Sequence, residues 1–92
     1  MVIYASDNGR WPGRNNHQPI RGSKLTTYEG GLRVPCIACG PGIREGFEAS
    51  VVAHAMDWYP TLASLARITI PEGLVLDGRD LSALLAGNVN GI

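Results

Sequence analysis

The sequence has no long hydrophobic run, no excess of charge of either sign and only two cysteines. No apolar stretch approaches the roughly 20 residues of a membrane-spanning helix, so a membrane partner is not expected. The apolar residues at 1–5 have no basic segment before them, which is unlike a secretory signal, and nothing else in the sequence indicates a compartment. The basic residues do not form a broad face interleaved with aromatic side chains, so a nucleic-acid partner is not expected either.

The composition is that of a folded globular chain, with 45% hydrophobic and 17% charged residues. A chain of 92 residues suffices for one small domain, and folding buries only about 60–65% of the surface of such a chain. Charge is unevenly distributed along it. Residues 1–34 hold five basic side chains against two acidic ones, whereas residues 35–92 hold three against six. The N-terminal third is therefore expected to suit an anionic ligand.

The two cysteines, Cys36 and Cys39, form a CxxC pair in PCIAC. A structural zinc site would need two further ligands, and the two histidines, His17 and His54, lie at unsuitable spacing. A thioredoxin-like pair would open a helix, whereas these cysteines end an apolar run that Gly-Pro-Gly follows. We therefore predict two buried thiols on a strand.

Hydrophobic patterning predicts strands and two short helices around a long loop. The segment 1–5 is apolar, as in a strand covered on both faces inside a parallel sheet. Five glycines and two prolines between 7 and 31 predict a connection without regular structure, and loops of that length are usually functional. In chain order the predicted elements are a strand at 1–5, a loop at 7–31, a strand at 32–38, a short strand at 50–53, a helix at 57–66 and a helix from 80.

Both predicted helices carry an apolar stripe and recognisable ends. Asp57 is placed to cap the first helix, and Pro60 is tolerated within its first turn. The apolar stripes comprise Trp58, Leu62, Leu65 and Ala66 in the first helix and Leu81, Leu84 and Leu85 in the second, which ends at Gly87. A strand suited to a sheet interior with so few companions predicts a part of a larger α/β domain.

Two stretches of the predicted loop carry side chains suited to binding ions. In IYASDNG, Asp7 and Asn8 follow the first strand. Asn-Gly is a turn signal, and Asp-Asn is also a pair of hard oxygen ligands for a divalent cation. Lys24, the single lysine, lies among glycine and hydroxyl residues in RGSKLTTYEGG. An ammonium in that setting can approach an anion as a mobile point charge, or it can be a solvated loop lysine.

Five segments in order resemble type I sulfatases, the arylsulfatases in particular. They are SDNG, RGSKLTTYEGGLRVP, PGIREG, MDWYPTLASLA and LDGRDLSALLAG, and together they cover nearly the whole chain, from 3 to 87. The resemblance is to the later part of the sulfatase catalytic domain, within the alkaline-phosphatase-like superfamily. It implies an α/β fold in which 1–92 form a single partial domain, with part of the alkaline-phosphatase-like sheet, two short helices and a long active-site loop.

The resemblance implies roles for four loop residues. In these enzymes the Asp and Asn of SDNG coordinate calcium, so Asp7 and Asn8 correspond to two metal ligands of the six to eight that calcium needs. The lysine of the GKxTT block contacts the sulfate group, so Lys24 corresponds to a catalytic residue that binds substrate and stabilises developing charge. His17 lies in the same loop, where some family members bring a histidine to the substrate; an exposed surface histidine is the alternative. Further loop side chains in reach of a substrate, without an assigned place, are Arg10, Trp11, Arg14, Asn15 and Asn16.

The family's nucleophile has no counterpart in the chain. Family members carry a formylglycine made from Cys or Ser in a [CS]-x-P-x-R motif upstream of SDNG. Cys39 begins a near match, but Ile43 stands where the arginine belongs. We therefore predict a partial sulfatase that is inactive alone and that needs the missing N-terminal part of the domain to act on a sulfate ester.

Two alternatives to that function stay open. One is a non-catalytic calcium- or anion-binding module, or a subunit completed by another chain. The other is a phosphate or phosphonate ester hydrolase of the same superfamily. His54, which precedes the 57–66 helix, is predicted to pack or to cap.

Overall fold

The computed structural model describes residues 1–13 and 19–88. These residues form a small α/β arrangement of short helices and strands. In chain order the elements are β1 (Val2–Ala5), α1 (Glu29–Leu32), β2 (Cys36–Cys39), a 3₁₀ turn (Ala55–Asp57), α2 (Trp58–Leu65) and α3 (Ser82–Leu85). None of the helices in 1–13 and 19–88 is long and apolar enough to cross a membrane.

The chain divides into two compact units, Met1–Ala38 and Cys39–Ile92. In the first unit, β1 pairs with β2 in a two-stranded sheet. Both strands were predicted, but β2 begins at Cys36 because Leu32 belongs to α1, a helical turn inside the segment expected to be irregular. The backbone N–H groups of Gly31 and Leu32 donate to the Tyr28 carbonyl at 2.8 and 3.2 Å, which turns the chain before it enters β2.

The prediction that the strand at 1–5 is covered on both faces is wrong for this structure, and β2 is exposed as well. Val2 and Tyr4 of β1 are 64% and 67% exposed, and Ile37 of β2 is 63% exposed. Cys36 and Cys39 are free, exposed thiols rather than the buried pair that we predicted. The reason is the size of the sheet, because two paired strands, all that 1–13 and 19–88 contain, cannot enclose their own side chains.

No strand forms at 50–53, a segment that the structure describes in full. The apolar sequence was misleading there because a strand needs a neighbour for its backbone hydrogen bonds, and a short apolar run does not supply one. Val52 is accordingly 87% exposed. That segment leads instead into the 3₁₀ turn at Ala55–Asp57, whose N-cap is His54.

The core of the second unit lies where α2 meets α3. Leu81 and Leu84, both predicted for the stripe of the second helix, are its buried apolar side chains. The predicted face of α2 is wrong, however. The residues of α2 that are buried are Pro60 and Thr61, whereas Leu62 is exposed. The inward face of α2 is determined by the hydrogen bonds that Thr61 makes with the residues before α3, and not by the spacing of apolar residues in the helix.

Asp57 and His54 provide the caps of this region. Asp57 precedes α2 as predicted, but its carboxylate makes no bond to that helix. It accepts instead from the His54 N–H at 2.7 Å and from the Arg79 N–H at 2.8 Å. Those two bonds, that of Arg79 first, hold the pKa of Asp57 below its ordinary value. His54 accepts from the Met56 N–H through Nδ1 at 3.3 Å, which confirms the capping role predicted for it.

Candidate functional site

The turn after β1 places Asp7 and Asn8 at the end of the strand. The Ser6 N–H donates to the Pro35 carbonyl at 3.2 Å, which extends the pairing of the two strands by one residue. The Ser6 hydroxyl then donates to the Asn8 carbonyl at 2.8 Å and closes the turn. Asp7 is exposed and Asn8 is half-buried. Asn8 Nδ2 donates to Asp7 Oδ1, so the two side chains predicted as metal ligands contact each other directly.

The loop that carries Lys24 is joined to the residues after this turn by a backbone hydrogen bond. The Lys24 N–H donates to the Arg10 carbonyl at 2.8 Å. Within the loop, the Thr26 hydroxyl accepts from the Ser23 N–H at 3.1 Å and donates to the Ser23 carbonyl at 2.7 Å. The main chain of Lys24 is thus fixed by a hydrogen bond. Lys24 is half-buried, and none of these three bonds involves its side chain.

Glycines 30 and 31 let the loop pack against its own backbone. The Gly30 N–H donates to the Arg21 carbonyl at 2.7 Å, and a Cβ at Gly30 would lie 2.9 Å from that same oxygen. A Cβ at Gly31 would lie 2.7 Å from the Ser23 carbonyl oxygen. Both distances are shorter than side-chain carbons allow, so the two glycines of EGG permit a close backbone approach. They lie in α1 and do more than bend the chain into the next strand.

The Lys24 ammonium lies beside an aromatic ring. Its Nζ is 5.4 Å from the centroid of the Trp11 ring, within the distance at which the ring quadrupole attracts a cation. Trp11 is itself 64% exposed. The structure therefore brings a half-buried cation next to an exposed aromatic ring, although the two residues lie far apart in the sequence of the predicted loop.

A pocket of about 400 Å³ opens next to this pair within the first unit. Its lining combines polar groups from the turn after β1 with two arginines and an apolar wall. The lining residues are Ser6, Asn8, Gly9, Arg10, Trp11, Ile20, Gly30, Arg33 and Pro35. None of these lining residues is acidic, so the pocket favours an anion that also carries an apolar group.

The structure brings three of the four predicted site residues to one region. Asn8 lines the pocket, Asp7 contacts Asn8, and Lys24 is joined to the pocket through Trp11. His17 lies outside the described residues. Within 1–13 and 19–88 no group of three or more His, Cys, Asp or Glu side chains is placed to hold a metal ion. Asp7 and Asn8 offer the hard oxygens that calcium prefers, but only part of the number it needs.

Two arginines near the site were not assigned a role from the sequence. Arg33 lines the pocket while it forms an exposed ion pair with Glu29 at 3.5 Å. Arg21 stacks on Tyr28 and donates to its hydroxyl at 2.8 Å, which stiffens the loop beside Lys24. The available signal was the excess of basic side chains in 1–34.

The loop and its pocket define an anion-binding segment of an α/β protein, and comparison with known proteins gives its family. The sequence model of the family named Sulfatase matches residues 1–68, well over half of the chain. A sulfatase of Formosa agariphila is 40% identical over 89 residues, covering 92% of this chain and 16% of that protein. Mouse arylsulfatase J is 42% identical over 83 residues, which are 88% of this chain and 14% of that protein. Human arylsulfatase A is 41% identical over 91 residues, which are 95% and 18%.

The chain belongs to the sulfatase family. This confirms the resemblance that the five ordered segments indicated. The chain spans 14–18% of the length of these three relatives. The activity of the complete enzymes is therefore a hypothesis for this chain.

Proposed function

We propose that this chain forms part of the active site of a sulfuric ester hydrolase, in which Lys24 binds the sulfate group of the substrate. The observation that carries the proposal is the contact of Lys24 with Trp11, which lines a pocket together with Arg10 and Arg33 and with no acidic residue. A sulfate monoester keeps a negative charge that such a pocket attracts. We further propose that β1 and β2 belong to the alkaline-phosphatase-like sheet of a larger domain, which covers their exposed faces.

The work of Lys24 in such a site is electrostatic. Cleavage of the ester bond places negative charge on the sulfate oxygens and on the leaving oxygen. The attraction between a fixed ammonium and those oxygens is stronger in the transition state than in the ground state, because the negative charge on the oxygens increases. The bond from the Lys24 N–H to the Arg10 carbonyl fixes the main chain of the lysine next to a pocket-lining residue before the substrate arrives.

Asp7 and Asn8 are proposed as two ligands of a calcium ion. Their carboxylate and amide oxygens fit a hard cation, and their contact at the end of β1 brings the two donors together beside the pocket that Asn8 lines. Calcium, when bound, would supply positive charge that offsets the negative charge of the sulfate group. The remaining ligands and the nucleophile are proposed to come from residues outside these 92, so the chain alone is expected to bind sulfate weakly and to cleave no ester.

Binding of inorganic sulfate to the purified chain tests the role of Lys24. Lys24→Ala should weaken binding by about 10- to 100-fold, because a charge-assisted hydrogen bond contributes about 1.5–3 kcal/mol. Amide chemical shifts of the residues around Lys24, followed during a sulfate titration, measure the affinity. Arg67→Ala, which removes an exposed cation of the second unit, is the matched control and should leave the affinity unchanged.

Two results of that titration would contradict the proposal. Equal sulfate affinity of Lys24→Ala and the unaltered chain would show that the lysine does not bind sulfate. Tighter binding of phosphate than of sulfate, with the same dependence on Lys24, would favour the phosphate ester hydrolase. Calcium-dependent cleavage of an aryl sulfate by the 92 residues alone would show that the chain is complete for catalysis and would contradict the partial site.

A further inference from the structure

We propose that Thr26 is a positioning residue for Lys24, and that its hydroxyl holds the turn on which the lysine lies in the conformation that binds sulfate. This inference rests on the proposed function, because it takes Lys24 as the contact of the sulfate. It goes further by making the affinity of that contact depend on a hydroxyl outside the residues that line the pocket.

The turn consists of Ser23, Lys24, Leu25 and Thr26. The Thr26 N–H donates to the Ser23 carbonyl at 3.1 Å, which is the bond typical of a β-turn. Of the two central residues only Leu25 has a positive φ, of +75°, and this is the pattern of a type II turn. Glycine is favoured at the position of Leu25 in such a turn, because a Cβ there crowds the backbone.

Packing of Leu25 does not explain why the turn keeps this conformation. The residue is 89% exposed, so burial of its side chain contributes little to offset the unfavourable φ. The bond from the Lys24 N–H to the Arg10 carbonyl fixes the chain before Leu25 and leaves its φ free. The stabilisation of the turn is therefore expected to come from the bonds that close it.

The hydroxyl of Thr26 provides two of those bonds. It accepts from the Ser23 N–H at 3.1 Å and donates to the Ser23 carbonyl at 2.7 Å. A Cβ at Gly22 would lie 2.7 Å from the hydroxyl oxygen, so the hydroxyl lies against the backbone of the loop. Together with the bond of the Thr26 N–H, these bonds offset the strain at Leu25 and keep the main chain of Lys24 in one conformation.

A fixed main chain at Lys24 favours anion binding. Groups that become ordered when a ligand binds lower the affinity, because their conformational entropy is lost at that step. With the turn already closed, sulfate has to order the side chain of the lysine alone. With an open turn, sulfate has to order the main chain as well. The hydroxyl of Thr26 therefore acts on sulfate through Lys24.

Binding of inorganic sulfate to variants of the purified chain tests the inference. Thr26→Val keeps the shape of the side chain without the hydroxyl, and it should weaken binding about threefold, the size of effect of one net hydrogen bond. Thr26→Ser keeps the hydroxyl and should bind as tightly as the unaltered chain. Leu25→Gly added to Thr26→Val should restore most of the affinity, because glycine adopts a positive φ at no steric cost. The control Thr27→Val, at the neighbouring exposed residue, should have no effect.

Two further measurements show whether Thr26 acts through the turn and the lysine. In the Lys24→Ala background, Thr26→Val should change the sulfate affinity no further. The NOE between the amide and Hα protons of Leu25 is strong at positive φ, because the two protons are then close. This NOE should weaken in Thr26→Val and persist in Thr26→Ser.

Failure of this inference can be told apart from failure of the proposed function. Unchanged sulfate affinity or an unchanged Leu25 NOE in Thr26→Val overturns the inference and leaves Lys24 as the sulfate contact. A loss of affinity that is equal in the Lys24→Ala background, or that Leu25→Gly does not reverse, means that the hydroxyl acts by another route, and this also overturns it. If sulfate binding does not depend on Lys24, the proposed function falls and this inference falls with it.

Discussion

Thr61 shows how much of the second unit depends on a single hydroxyl. The residue is fully buried. Its hydroxyl donates to the Asp57 carbonyl at 2.6 Å and accepts from the Leu81 N–H at 2.9 Å. One side chain thereby joins the start of α2 to the residue that precedes α3. Asp57 adds a second link through its bond with the Arg79 N–H.

Thr61→Val should destabilise the second unit by about 1–3 kcal/mol, because the valine keeps the shape but leaves the buried Leu81 N–H without its acceptor. Hydrogen exchange of the Leu81 amide measures the effect directly, and its protection should fall. Thr61→Ser is the matched control, since it keeps the hydroxyl and loses one methyl group. Equal loss of protection in both variants would mean that packing, rather than the hydrogen bond, joins the two segments.

At the scale of elements, the ends of α2 and α3 use one motif with different residues. At the end of α3, Gly87 has a φ of +88°, and the N–H groups of Gly87 and Asn88 donate to the carbonyls of Leu84 and Ala83. This is the Schellman arrangement, for which glycine is the usual residue. At the end of α2 the corresponding residue is Arg67, with a φ of +56°.

Arg67→Gly should therefore stabilise the second unit by about 1 kcal/mol, because it removes the cost of a left-handed conformation at a residue with a Cβ. Arg67 is exposed, so little packing is lost. Thermal unfolding followed by circular dichroism measures the change. Arg67→Ala removes the same charge but keeps the Cβ, and it should show no such gain; an equal gain in both variants would attribute the effect to charge.

At the scale of the whole chain, little apolar surface is buried. Leu81 and Leu84, at 6% and 4% exposure, are with Pro60 the buried apolar side chains of 1–13 and 19–88. Burial of apolar area is the main favourable term in folding. A chain of this composition with so small a core is expected to gain much of its stability from surfaces that cover β1 and β2.

The isolated chain should consequently unfold over a broad temperature range, and millimolar calcium should move the midpoint little, because Asp7 and Asn8 supply too few ligands for tight binding. Circular dichroism with and without calcium measures this. A sharp transition that calcium raises, and that Asp7→Ala but not Asp77→Ala returns to its starting value, would instead identify an independent calcium-binding module.

The sequence by itself determined the family, the existence of β1, β2 and both predicted helices, and the stretch that carries Lys24. Those features depend on local chemistry. The apolar run at 1–5, the Gly-rich loop and the stripe of Leu81 and Leu84 can each be recognised from residues close together in the sequence. The family could be identified without coordinates, because it depends on five motifs and on their order along the chain.

The tertiary structure alone decided which surfaces meet. The inward face of α2 follows from the hydroxyl of Thr61, whose partner Leu81 is 20 residues away, and no periodicity within the helix reports such a distant bond. The exposure of Cys36 and Cys39 follows from the small number of strands that cover them. The meeting of Lys24 with Trp11 follows from the backbone bond to Arg10 and from the close approach at Gly30 and Gly31. Side chains far apart in sequence become neighbours only through such packing, which is why the aromatic part of the site was found in the fold.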